Sequence, residues 1–250
     1  MGTSESAAHH SQETENRIRD LAESVRRHPA LNNDFYKLWL KGPLSVPQVE
    51  LFARNYYERV SRTPERLALS FLHVNNVRAR AETAMNLNDE MGEGNPARAH
   101  SVILAAFLEK LLSKLHGHPV DFDRVQAPVV PSTVKLIKEG ERLFGSDDPA
   151  VSCGALLAQE WHAYMQIVYV YEGCRNYLGY FGLEEFHDSC EYFYLHIGTA
   201  EKQHKIQSVS TAVQLCGTPE QFARLEDGFN SYLDLLAANW QEICDYLNRM

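Results

Sequence analysis

Long apolar runs are missing from this 250-residue chain. No stretch approaches the ~20 apolar residues that a membrane span needs. The opening MGTSESAAHHSQETENR lacks the apolar core of a secretory leader. Both absences lead us to expect a cytoplasmic protein with no membrane partner. Cysteine is sparse and dispersed: Cys153, Cys174, Cys190, Cys216 and Cys244 are odd in number and form no CxxC pair. That argues against a disulfide framework or a zinc knuckle and fits reduced thiols used as small core residues. Positive charge is short as well, with 24 Lys and Arg against 33 Asp and Glu for a net charge of −9. No basic cluster of the kind phosphate binding needs is present, so nucleic acid is not an expected partner. Period-two alternation bounded by hairpin turns is absent, and so is any internal repeat.

What is present is a 44% apolar, 23% charged composition, with length enough to bury a substantial core without staples. Residues 1–14 read as a disordered tail. From there to residue 250 apolar residues recur at three- and four-residue spacing, which predicts a single all-α domain of about seven or eight main helices. In ENRIRDLAESVRRHP the stripe is Ile18, Leu21, Ala22 and Val25, ending at Pro29. NNDFYKLWLKG makes a short helix stopped by Gly42 and Pro43. SVPQVELFARNYYERVSRTPERLALSFLHVNN opens on Ser45 with Pro47 in its first turn, and predicts one long helix kinked near Pro64.

Several of these helices carry polar residues where a lone charge is expensive. YFYLHIGTAEKQHKI spends two histidines, a glutamate and a glutamine within a segment that otherwise looks buried. An acidic residue three positions before a histidine, the spacing that puts both on one helix face, occurs at Glu184–His187 and Glu201–His204. With 33 acidic residues and 11 histidines in 250 positions, chance alone supplies about 1.5 such pairs, so the spacing carries little by itself. Context adds to it: Glu65, Glu90, His100 and Glu160 lie in or beside apolar-periodic helices. Carboxylates and imidazoles converging from separate helices form the ligand set of a carboxylate-bridged di-iron or di-manganese centre.

On these segments the chain resembles the haem-oxygenase-like di-iron oxidases and oxygenases, seven-helix proteins that bind no haem and place two non-haem irons between core helices. NLNDEMGEGNPARAH is similar to their acidic-Gly-Gly-His signature. YYERVSRTPERLALSF, GALLAQEWHAY and YFYLHIGTAEKQH are similar to their first, middle and last ligand helices, over about residues 31–245. The resemblance implies a haem-oxygenase-like helical bundle with metal ligands Glu65, Glu90, His100, Glu160, His196, Glu201 and His204, Glu160 being a bridging carboxylate. Glu58 is the alternative to Glu65, and Asp89 the alternative to Glu90.

The family spaces its last three ligands as His, a carboxylate four on, and His three further. Here those offsets from His196 fall on Ala200 and Gln203, and a one-residue shift recovers Glu201 and His204. Five residues apart, His196 and Glu201 would point roughly 140° away from each other on an ideal helix. A π-type bulge between 196 and 201, eased by Gly198, is therefore expected.

The resemblance further implies two Fe(II) ions (Mn as the alternative), O2 as co-substrate, a small amine, amino acid or carboxylic acid as substrate, an external electron donor where the chemistry needs one, and a homodimer. Outcomes in the family are N-oxygenation, oxidative C–C cleavage and desaturation, in specialised biosynthesis. Arg59 or Arg66 is a candidate to hold a substrate carboxylate, although such a residue is more often at the surface. Two other readings stand beside this one. One is a metal-independent enzyme of the same fold, thiaminase-like or a cofactor-free oxidase. The other is a non-enzymatic helical interaction module whose polar residues are solvated faces. His73 and His162 read as hydrogen-bonded or surface residues, His116 and His118 as a surface pair at a helix-ending glycine, and Glu184–His187 as a helix start. The series Tyr164, Tyr169, Tyr171, Tyr177, Tyr180 and Phe181 reads as packing more than as a substrate box.

Overall fold

The computed structural model describes residues 2–74 and 76–250, with side chains at 12–74, 76–198 and 205–250. Its elements are the helices α1 (Gly2–Ser24), α2 (Asp34–Lys41), α3 (Val46–Val60), α4 (Thr63–His73), α5 (Val77–Glu90), α6 (His100–His116), α7 (Pro131–Phe144), α8 (Pro149–Cys174), α9 (Leu178–Phe181), α10 (Leu183–Ser189), α11 (Glu191–Ile197), α12 (Thr199–Leu215) and α13 (Pro219–Leu247). The fold is all-α and haem-oxygenase-like. Helix α1 takes in the segment read from sequence as a tail. No helix among the described residues is long and apolar enough to cross a membrane.

Local chemistry sets the boundaries. The Asn33 side chain accepts from Tyr36 N at 3.0 Å to start α2. At α13 the Thr218 and Gln221 side chains cap each other's backbone, at 3.2 and 3.1 Å. The long helix expected across Pro64 is instead two helices. Proline lacks the N–H that an interior turn requires but is at home in a first turn, so α3 ends at Val60 and α4 restarts at Thr63 with Pro64 in its opening turn. The α1 stripe Ile18, Leu21, Ala22 and Val25 is buried as expected, and all five cysteines are buried and unbridged.

Helix α8 is central. It is apolar on every side, as a helix surrounded by protein must be, and α13, α12, α7, α4 and α11 all pack on it. The approach of α13 is governed by two glycines. A Cβ at Gly154 would lie 2.0 Å from Leu225 O, and one at Gly228 would lie 2.1 Å from Val151 O. The backbones therefore touch where these residues cross. Beyond the crossing, Trp240 of α13 stacks on Phe35 with ring centroids 4.7 Å apart, and Phe35 stacks on Phe52 of α3 at 5.6 Å. This aromatic wall closes one side of the interior.

An alanine in a helix is ordinarily about 1 kcal/mol better than glycine. At Gly228 we expect the opposite, because backbone must move to admit the methyl group: Gly228→Ala should lower the unfolding free energy by about 2–4 kcal/mol. Gly179→Ala, where the added methyl meets nothing within 4 Å, should change it by less than about 1 kcal/mol. Urea denaturation of the two variants makes the comparison, and equal stabilities would show that the glycine crossing is not tight.

Candidate metal centre

Glu90 is the last residue of α5 and His100 the first of α6. The segment between them doubles back tightly enough to set the two side chains face to face. Gly92, Glu93 and Gly94 have φ of 79°, 53° and 87°, in the left-handed region that glycine tolerates best. At Gly92 the requirement is also steric, since a Cβ would lie 2.4 Å from Asn95 O. Asn95 N donates to Gly92 O at 2.9 Å and Arg98 N to Asn95 O at 2.8 Å, which completes the return.

Helix α11 adds His196. Its Nδ1 lies 2.7 Å from the Tyr192 carbonyl, so Nδ1 donates there and Nε2 is the nitrogen turned toward Glu90. A ring nitrogen donating to a backbone carbonyl is the usual way a metal-binding imidazole is oriented. Glu90 Oε2 lies 3.3 Å from His100 Nδ1, and Glu90 Oε1 lies 3.9 Å from His196 Nε2. The imidazole centroids are 4.5 Å apart. One ligand atom from each of the three residues lies within 4.8 Å of the other two.

Glu90 is the common partner of both imidazoles. His100 Nδ1 faces the carboxylate at 3.3 Å but lacks the alignment of a hydrogen bond and is buried with no hydrogen-bond partner. Ligands at about 2.0–2.2 Å from one ion stand about 3–4 Å from each other, and the two separations from Glu90, 3.3 and 3.9 Å, fall in that range. Two imidazoles and one carboxylate with open positions opposite are the donor set of non-haem Fe(II). Without an ion the site falls back on protons. Burial raises the Glu90 pKa, but His100 and His196 outweigh it and hold the carboxyl well below its ordinary range. Burial lowers the His100 pKa, and Glu90 more than reverses this, so the net shift is upward.

Glu160 projects from α8 into the same cavity and is 5% exposed. Its Oε1 accepts from Asn86 Nδ2 of α5 at 3.2 Å, a contact that fixes the orientation of the carboxylate. The side chains of Glu201 and His204 lie outside the described residues. Their backbone belongs to α12, and it corrects the expected π-type bulge: α11 ends at Ile197, Gly198 is extended at φ −74° and ψ −153°, and α12 begins at Thr199. A complete break accommodates the extra residue as a bulge would, and it frees α12 to take its own rotation.

Glu65 is not brought to the cluster. Its side chain is 50% exposed and pairs with Arg62 at 3.3 Å, and the alternative Glu58 pairs with Arg54 at 2.8 Å. The residues after these glutamates, Arg59 and Arg66, turn inward on both sides of the break, each 5% exposed. Glu90, rather than Asp89, faces the histidines. Two functional candidates went unread in the sequence, Gln159 and Gln166. Their signal was available as polar residues one heptad apart on a largely apolar helix.

The other histidines have ordinary partners. His73 Nδ1 meets Leu69 O at 2.9 Å, and His116 Nε2 meets Glu50 Oε1 at 2.9 Å. His162 Nε2 meets Ala30 O at 3.3 Å, and burial holds its pKa down at about 3.

The chain matches the model of a family described as iron-containing redox enzymes over residues 50–237. Among solved structures it is similar to a CADD-like protein of unknown function from Nostoc punctiforme, at 17% identity and TM-score 0.74, covering 93% of this chain and 97% of that one. It is also similar to a domain of unknown function with a heme oxygenase-like fold from Shewanella denitrificans, at 14% identity and TM-score 0.66, covering 94% and 92%. A TenA homolog from Pseudomonas syringae pv. tomato matches at 14% identity and TM-score 0.69, covering 92% of each chain. No curated protein matches.

Removing a ligand opens the cluster without touching the apolar core. Glu90→Gln and His100→Ala should therefore lose most bound iron while the far-UV circular dichroism stays near that of wild type. Glu65→Gln should retain iron fully. Metal analysis after desalting decides, and wild-type iron content in His100→Ala would remove this residue from the site.

Proposed function

The chain belongs to the iron-containing redox enzyme family, and from that premise we propose that it is an O2-dependent non-haem di-iron oxidase or oxygenase acting on a small organic substrate. The observation that carries this reading is the buried Glu90, His100 and His196 triad, of which Glu90 and His196 line a cavity of about 50 Å³ together with Glu160. In this reading the triad holds one iron, and Glu160, with Glu201 and His204 from α12, holds the second. Bound there, iron supplies the capacity to reduce O2 at the expense of an organic substrate.

The residues of the chain have separable tasks. Tyr192 fixes the tautomer of His196 through its carbonyl at 2.7 Å, and its ring packs on that imidazole with centroids 4.4 Å apart. Asn86 restrains Glu160. Val60, Ile167 and Leu236 form apolar parts of the cavity wall and limit the water beside the reacting groups, which strengthens every charge interaction inside. The substrates implied are small amines, amino acids or carboxylic acids undergoing N-oxygenation, C–C cleavage or desaturation.

Protein produced with iron supplied should retain about two irons per chain. One iron would restrict the centre to the Glu90, His100 and His196 triad. No retained iron would overturn the reading in favour of a metal-independent enzyme of the same fold. Fe(II)-loaded protein should consume O2 faster with substrate present than alone, because a filled cavity completes the site. An oxygen electrode and stopped-flow absorbance measure this, and a spectrum indifferent to O2 with every small amine, amino acid and carboxylic acid tried would sink the oxygenase assignment.

A further inference from the structure

The cavity that receives Glu90, Glu160 and His196 is also lined by Arg59 and Arg66. Both guanidinium side chains are interior, each residue 5% exposed. Arg59 is on the last turn of α3 and Arg66 on α4, seven residues on, and Arg66 Nη1 donates to the Arg59 carbonyl at 3.0 Å across the helix break. A buried cation normally has a carboxylate beside it. These two have none: no salt bridge joins either of them to an acidic side chain among the described residues.

Their polar partners are neutral. Arg59 Nη2 donates to Gln166 Oε1 at 2.6 Å and Arg66 Nε to Gln159 Oε1 at 2.8 Å. Arg66 Nη2 also donates to Thr63 Oγ1 at 3.0 Å. The Arg59 guanidinium lies 4.6 Å over the Trp240 ring and 5.1 Å from the centre of Tyr56, contacts that ease the burial of a cation but leave its donors unspent. Its Nε is buried with no hydrogen-bond partner. The two glutamines and the two rings thus hold a pair of guanidiniums in place with N–H groups uncommitted and positive charge uncancelled.

We propose that Arg59 and Arg66 form an anion subsite for the carboxylate of a small monocarboxylate ligand, oriented by Gln159 and Gln166 within the cavity. The planar fork of a guanidinium matches a carboxylate with two parallel hydrogen bonds, and Arg59 keeps Nε free for such a pair. The same cavity is lined by the apolar side chains of Val60, Ala163, Ile167 and Leu236, which suit an uncharged hydrocarbon body on the ligand. Together with the proposed iron centre, on which this orientation rests, the subsite makes the carboxylate the anchored end of a substrate and its other end the reacting one.

The test uses full-length protein stripped of metal with EDTA, so that it is independent of iron. Hexanoate and hexanamide have the same length and shape and differ in charge. Calorimetric titration should show hexanoate binding at least about tenfold more tightly than hexanamide, together with a rise in Tm. Arg59→Gln and Arg66→Gln should each weaken hexanoate by about tenfold or more while leaving hexanamide unchanged, with iron uptake as in wild type. No binding of hexanoate at millimolar concentration, equal binding of acid and amide to the wild type, or undiminished hexanoate affinity in both variants would overturn the subsite. So would hexanoate binding that needs iron and survives Arg59→Gln, which would put the carboxylate on the metal. A chain that takes up no iron yet binds hexanoate through the arginines would refute the iron centre and leave the anion subsite standing.

Discussion

Two glycines, Gly154 on α8 and Gly228 on α13, let the backbones of the two helices come into contact, and the rest of the interior depends on that closeness. Wider spacing would leave α8 a solvent face on which its polar residues could be hydrated. With α13 pressed against it, and with α12, α7, α4 and α11 on its other sides, Gln159, Glu160, His162 and Gln166 are all buried. Groups that cannot reach water must be satisfied by protein or by something the protein binds. The cavity is where that requirement is concentrated.

It is lined by charge of both signs. Glu90 faces the imidazoles of His100 and His196. Arg59 and Arg66 are held by amide oxygens that carry no charge. A sequence selected only for stability would replace such groups with apolar residues, since well-packed hydrophobic substitutes commonly equal or exceed a buried ionic arrangement. Retaining incompletely compensated charge of both signs within one small space is what a site built to receive a cation and an anion together requires.

The helices were legible because apolar spacing and capping chemistry are local. So was the pairing of Glu90 with His100: they are ten residues apart, and the intervening glycines can double the chain back. His196 was legible as a costly polar group in a buried stretch. The first ligand helix was not. Placing Glu65 inward picks the wrong residue of the turn: Glu58 and Glu65 both pair outward, while Arg59 and Arg66, also one heptad apart, both line the cavity. One residue of phase separates Glu65 from Arg66, and on a helix that is about 100°, enough to exchange a solvent-facing acid for a core-facing base. Periodicity ranks both arginines as surface residues. Only the tertiary wall of Trp240 and Tyr56 shows why Arg59 is tolerated inside.

The inward arginine in place of an inward glutamate changes what the cavity demands. An iron held by two imidazoles and one carboxylate keeps net positive charge, because a ferrous ion carries twice the charge that Glu90 cancels. A second ion held by Glu160 and the α12 residues adds to that excess. Arg59 and Arg66 increase it again, and as always-protonated groups they cannot relieve it by releasing a proton. In a medium of low effective dielectric such an excess is costly, and its relief is the strongest preference the cavity expresses for what enters. Under the proposed function, an anionic substrate would supply the missing charge as it binds. The site, short of negative charge, would then be completed electrostatically by its own substrate, which would link filling of the cavity to readiness of the metal without any moving part.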